Sequence, residues 1–125
     1  MNSKIILSII LGFLLTSGIV FFLLSGDKSN AALDEFSRCL AEKKVTMYGA
    51  DWCPHCQNEK KAFGSSFKFI PYIECPEDPK RCLAAGISGY PTWIFSDGRR
   101  LEGEQGVEKL SQESGCPLPE RKPRL

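Results

Sequence analysis

Ala50-Asp51-Trp52-Cys53-Pro54-His55-Cys56 decides how this chain reads. It follows a strand-like run, Lys44-Val45-Thr46-Met47-Tyr48, and opens a helical pattern, Gln57-Asn58-Glu59-Lys60-Lys61-Ala62-Phe63. A Cys-x-x-Cys at the junction of strand and helix is suited to redox chemistry. The first cysteine sits where unpaired backbone N–H groups and the helix dipole favour negative charge. The thiolate is the form that attacks disulfides. The second cysteine lies one turn on, close enough to close a disulfide or release a mixed one. Pro54 suits the first helical turn, because the N–H it lacks has no partner there.

Outward from the motif, hydrophobic periodicity and turn residues divide the chain. Residues 30–44 read as a helix, with Leu33, Phe36 and Leu40 at helical spacing, Asp34 and Glu35 early, Lys43 and Lys44 late, and Asn30 as N-cap. A strand follows over 45–49, then the Cys53 helix to Phe63 and a break at Gly64-Ser65-Ser66. Residues 67–74 (FKFIPYIE) read as a second strand, with Pro71 marking an edge position or an irregularity. Residues 76–80 turn the chain into a short helix over 81–85 that Gly86 stops. TWIFS, 92–96, is a third strand; Asp97-Gly98 is a hairpin turn and 99–102 a fourth strand. Residues 107–114 read as the last helix. From Val45 the order is therefore β-α-β-α-β-β-α, which predicts a small α/β layered domain with a central mixed four-stranded sheet. Its first two strands are parallel across a helix, and its ligand edge is the carboxyl end of the first strand.

The 125 residues carry a net charge of +1, so nothing in the balance points to nucleic acid or an acidic substrate. Six cysteines in so short a chain suggest disulfides in an oxidising compartment, and metal binding or catalysis in a reducing one. Ile5 to Leu24 is twenty residues without a charge. That length fits a membrane-spanning helix, about 20 residues, better than a signal-peptide core of about 7–15. Residues 1–29 are thus expected to be a retained N-terminal membrane anchor with a short linker, or alternatively a signal peptide cleaved near Ser29-Asn30-Ala31. Either way the remainder is exported to a periplasm, lumen or cell exterior. The domain proper is expected over 30–116, and 117–125, Pro-rich and basic, as a flexible tail.

Trp52-Cys53-Pro54-His55-Cys56 resembles the active-site motif of the thioredoxin superfamily, and Gly89-Tyr90-Pro91-Thr92 resembles the loop that faces it. The likeness covers roughly residues 32–116 and implies a thioredoxin fold. It also implies a cis proline at Pro91 beside the dithiol. Tyr90 would present backbone groups to a bound polypeptide as an added strand does. Within the superfamily, MYGADWCPHCQNEKKAFG…FKFIPYIEC…GISGYPTWIF is most similar to the thioredoxin-like (DsbA-type) domain fused to bacterial and plant homologues of vitamin K epoxide reductase. The resemblance implies a thiol–disulfide oxidoreductase, without a small-molecule cofactor, that oxidises exported protein thiols. A separate quinone-linked membrane enzyme would reoxidise it. Cys53 becomes the exposed nucleophile and Cys56 the buried resolving thiol, with Pro54 and His55 tuning the pair. Pro-His matches the oxidases rather than the Gly-Pro of reducing thioredoxins. The family's buried acid six residues before the nucleophile is replaced by Met47, which weighs against efficient reductase chemistry.

Other readings stand beside this one. The same fold could run as a reductase or isomerase, or the domain could be a structural module in which Cys53, Cys56, Cys75 and Cys82 bind zinc. The seven-residue spacing of the second pair and the intervening His55 fit redox tuning better than a zinc knuckle. Cys75 and Cys82 read either as a second redox pair or, the commoner case in small exported domains, as a structural disulfide. Cys39 and Cys116 lean towards pairing with each other, with free thiols or an intermolecular bridge as the alternatives. Tyr48, Phe63, Phe69, Trp93 and Phe95 read as core. Trp52 is the aromatic expected to shield the dithiol and touch substrate. Asp51, Glu102, Glu104 and Glu108 read as solvated surface.

Overall fold

A computed structural model of the chain describes residues 2–10, 12–13 and 33–120. The domain begins with α1 (Asp34–Glu42), then β1 (Thr46–Gly49), α2 (Pro54–Phe63), a 3-10 segment (Gly64–Phe69), β2 (Tyr72–Glu74), α3 (Pro79–Ala84), β3 (Thr92–Ile94), β4 (Arg100–Glu102) and α4 (Gly106–Ser114). The four strands form one sheet in the order β2-β1-β3-β4. β1 runs parallel to β2, and β3 is antiparallel to both β1 and β4. This is the α/β thioredoxin-like architecture that the element order and the resemblance imply, a four-stranded mixed sheet flanked by helices.

Burial explains the pattern. β1 alternates half-buried and buried residues, and Met47, with no exposed surface, lies in register between Tyr72 of β2 and Trp93 of β3. Phe36 and Leu40 put one face of α1 into the core, and Cys56, Glu59 and Phe63 do so for α2. Phe63 stacks on Phe36 at 5.8 Å between ring centroids and meets Trp93 at 5.9 Å, so both helices and the sheet share one aromatic centre. Each such side chain contributes about 1.5–3 kcal/mol on burial. Tyr48 and Phe69, expected in the core, are only half-buried, while Phe95 is buried.

The main departure is 67–74. Its first three residues wind into the 3-10 segment, and only Tyr72–Glu74 extend. Pro71 has no N–H to give the ladder. Its carbonyl still accepts the Met47 N–H at 2.9 Å, so pairing starts beyond it, on an edge strand. The 3-10 turn carries Phe67 against Phe63 and Tyr72 and drops Ile70 into the core, which a straight strand would not do. The proposed break at Gly64 is thus the start of that segment. Apart from the start of α1, the other elements differ from expectation by at most two residues at an end, where hydrogen bonding frays. The Asn30 cap lies outside the described residues, and α1 starts with Leu33 at its N-cap, without a side-chain cap.

Two disulfides tie the periphery. Cys39 of α1 bonds Cys116 just beyond α4, and Cys75 after β2 bonds Cys82 of α3. Leu118 packs against the core, so the expected tail is anchored at least that far, and 121–125 lie outside the described residues. Of the stretch 5–24, only 5–10 and 12–13 are described. They are helical, with Leu7, Ile9 and Phe13 exposed. Among the described residues no helix is long and apolar enough to cross a membrane, and the rest of the expected anchor lies outside them.

Candidate active site

The chain leaves β1 at Gly49, turns through Asp51 and Trp52, and enters α2 with Cys53 as N-cap and Pro54 in its first turn. The Cys53 N–H donates to the Ala50 carbonyl at 3.0 Å, and its carbonyl accepts the Gln57 N–H at 3.0 Å. The first sulfur is thereby held at the amino end of α2. Opposite it, the Tyr90–Pro91 peptide is cis, and the Cys53 thiol points to the Tyr90 carbonyl at 3.7 Å. The Pro91 loop is braced by Thr92 Oγ1 donating to the Gly89 carbonyl at 2.8 Å and by the Gly103 N–H donating to the Pro91 carbonyl at 2.8 Å. Trp52 is 69% exposed and meets the edge of Tyr90 at 6.1 Å. The structure therefore brings Trp52, Cys53, Tyr90 and Pro91 together, with Cys56 one helical turn on and buried.

Both motif cysteines are free thiols. Cys53 was expected to be exposed, but only 7% of it is accessible, because the Pro91 loop covers the sulfur; Cys56 is fully buried. Burial pushes the Cys56 thiol up to about 11, with the neighbouring Cys53 thiol adding to the shift and the Ala50 backbone and Lys60 opposing it. The two sulfurs are thus unequal. One lies at the rim and the other must be deprotonated inside the protein.

Around the dithiol lie polar groups of three kinds. His55 is 67% exposed along its side chain, and its Nδ1 lies 3.0 Å from Glu104 Oε2, which also accepts from Asn58 Nδ2 at 3.1 Å. Those hydrogen bonds hold the Glu104 carboxyl below its usual range. Glu104, expected as plain solvated surface, therefore fixes the His55 ring. Asp51 pairs with Lys60, whose hydrogen bond lowers the Asp51 carboxyl. Glu59 is the third kind: a carboxylate with no exposed surface, inside the apolar stripe of α2. Its Oε1 accepts the Gln105 N–H and, at 2.7 Å, the Gly106 N–H, the start of α4. Burial raises its pKa despite those donors. The spacing Cys56, Glu59, Phe63 announces an acid at a core position, and that was the signal in the sequence for it.

Cys75 and Cys82 are bonded to each other, so they do not join Cys53 and Cys56 in a four-sulfur set. Among the described residues no group of three or more His, Cys, Asp or Glu side chains could hold a metal.

No protein-family model matches the chain. It is 40% identical over 81 residues to the thiol-disulfide oxidoreductase LTO1 of Arabidopsis thaliana, covering 58% of this chain and 21% of that protein. It is 36% identical over 82 residues to protein disulfide isomerase-like 2-2 of Oryza sativa subsp. japonica, covering 54% of this chain and 22% of that protein. The chain thus spans about a fifth of the length of these curated relatives. Among solved structures it is similar to oxidised glutaredoxin 2 of Chlamydomonas reinhardtii, with TM-score 0.40 and 22% identity over 70% of this chain and 96% of that one. Both sequence relatives carry the names of thiol–disulfide enzymes.

Proposed function

We propose that this chain is a thiol–disulfide oxidoreductase that works as an oxidase of exported protein thiols. One observation carries the reading: two free cysteines one helical turn apart, with the first at the helix N-cap facing the Tyr90 carbonyl and the second buried. The oxidised enzyme holds a Cys53–Cys56 disulfide. A substrate thiolate attacks Cys53 Sγ, a bond forms between substrate sulfur and Cys53, and Cys56 leaves with the electron pair. A second substrate thiolate then attacks the first substrate sulfur. The substrate disulfide forms, Cys53 leaves as thiolate, and two electrons remain on the dithiol.

A quinone-linked membrane enzyme of the vitamin K epoxide reductase type takes those electrons and restores the disulfide. The stretch 5–24 anchors the domain beside it, or is cleaved as a signal. Its described part is helical with exposed apolar side chains, which supports a lipid setting. Trp52 and Tyr90 line the rim where a polypeptide would lie, and Tyr90 offers its backbone to it. The isomerase name of a sequence relative supports a second reading, in which the same dithiol reduces or reshuffles disulfides.

The test is covalent trapping. With Cys56→Ser, the full-length chain should accumulate mixed disulfides through Cys53, resolved on non-reducing gels, and Cys53→Ser should accumulate none. Failure of a folded Cys56→Ser chain to trap any thiol protein would sink the exchange mechanism.

A further inference from the structure

Cys56 must lose a proton whenever it attacks and regain one whenever it leaves, yet its sulfur has no contact with solvent. Besides Cys53, the Ala50 backbone and Lys60, a polar side chain of β2 reaches its surroundings. A Cβ built on Gly49 would lie 2.8 Å from Cys56 Sγ and 3.4 Å from the Tyr72 hydroxyl. The Tyr72 ring edge lies nearer still, with Cε2 at 3.2 Å, so the bare glycine lets the thiol and the phenol edge of Tyr72 face the same position. Tyr72 donates its hydroxyl hydrogen to Glu74 Oε2, and Glu74 Oε1 accepts the Asp51 N–H at 3.0 Å. Lys60 Nζ stands 4.0 Å from the centre of the Tyr72 ring and pairs with Asp51. Tyr72 and Glu74 are half-buried and Asp51 is exposed, so these groups run from the buried sulfur to the surface.

We propose that Tyr72 and Glu74 are the proton path of Cys56, the hydroxyl relaying a proton between the thiol and the Glu74 carboxylate. This rests on the exchange reading above. When a mixed disulfide on Cys53 is resolved, the Cys56 proton passes to the Tyr72 oxygen as the Tyr72 proton passes to Glu74. The Cys56 sulfur bonds to Cys53 Sγ, the bond from Cys53 to the substrate sulfur breaks, and the substrate leaves as a thiolate that solvent protonates. Glu74 then releases its proton to solvent. In the oxidising direction Cys56 departs as thiolate and is reprotonated by the reverse path. No electron moves through the relay.

The other charged or titratable neighbours do not offer this route. Cys53 is itself the reaction partner, and Lys60 and Asp51 are paired with each other. Met47, the register partner of Tyr72, has no proton to exchange. Glu59 has no exposed surface through which to pass a proton on: its Oε1 holds the α4 amides, and its Oε2 is buried without a hydrogen-bond partner. Burial and Glu74 both raise the Tyr72 pKa, so the hydroxyl keeps its proton and acts as a relay rather than as the base.

The experiment compares the reduced full-length chain with Tyr72→Phe and Glu74→Gln. Each is mixed with excess oxidised glutathione between pH 6 and 9.5 and quenched in acid, and the Cys53 adduct and the closed disulfide are counted by mass spectrometry. General acid–base help of this kind is worth about 100-fold or more. Both variants should close the disulfide at least about tenfold more slowly near pH 7, with the deficit shrinking as pH rises and hydroxide takes over. Formation of the Cys53 adduct, measured in a Cys56→Ser background, should stay within about twofold. Closure rates and pH profiles that overlay the parent overturn the relay, as does a uniform slowing with an unchanged pH profile. A parent chain that forms no glutathione adduct overturns the exchange reading and the relay with it.

Discussion

The inequality of the two thiols yields a direct chemical test. Cys56 is fully buried and pushed up to about 11 from an ordinary 9.0. Each pKa unit is a factor of ten in thiolate. At pH 7 an ordinary thiol is about 1% ionised and one near 11 about 0.01%. Folding therefore lowers the reactive fraction of Cys56 about a hundredfold before access is counted. The reduced full-length chain, treated with iodoacetamide at pH 7 for increasing times, should gain one adduct, on Cys53, as read by peptide fragmentation. Cys56 should be labelled at least about a hundredfold more slowly than in the same chain unfolded in urea. Labelling of native Cys56 within about tenfold of its unfolded rate, or ahead of Cys53, would refute the assignment of attacking and resolving thiols.

Two further outcomes concern stability. The Cys39–Cys116 bond closes a loop of separation 77 and the Cys75–Cys82 bond one of separation 7. Loop-closure entropy puts them near about 4.5 and about 2.4 kcal/mol. Replacing the first pair by alanines should lower the urea midpoint more than replacing the second, and the reverse order would contradict that entropy account. Glu59 has a raised pKa in the fold, so its contribution is fully present below its unfolded value near 4.5 and is lost as pH rises through the folded value. Glu59→Gln should flatten the fall in stability above about pH 4.5, whereas Glu59→Ala should cost about 3 kcal/mol by orphaning the Gln105 and Gly106 amides. Urea titrations at several pH values read both, and a Glu59→Gln profile parallel to the parent would show that Glu59 is not the group responsible.

The layout of the fold was legible because its signals are local. Strand-like alternation before Cys53, the Asp97-Gly98 turn and helical spacing in α1 and α2 each act over a few residues. Residues 67–71 were not, because F-K-F-I satisfies a strand pattern while the packing of Phe67 on Phe63 and Tyr72 selects a 3-10 turn. The Cys53–Cys56 pair was legible from its motif together with its setting between a strand and a helix. The groups around them were not: parallel pairing of β1 with β2 brings Tyr72 near Cys56, with Glu74 bound to the Tyr72 hydroxyl, and Glu104 reaches His55 from the β4–α4 connection. Contacts between distant segments leave no mark in a single sequence unless a residue type is out of place. Glu59 in an apolar stripe was such a mark, and Glu104 among other exposed acids was not.

Direction of electron flow is the central claim, and the reduction potential of the Cys53–Cys56 couple tests it most directly. The full-length chain would be equilibrated in glutathione buffers of graded poise, and its dithiol fraction read by alkylation and mass spectrometry. An oxidase should show a reversible two-electron transition between about −120 and −180 mV, the range of strong oxidants and isomerases. A transition near about −270 mV, where reducing thioredoxins lie, would contradict it.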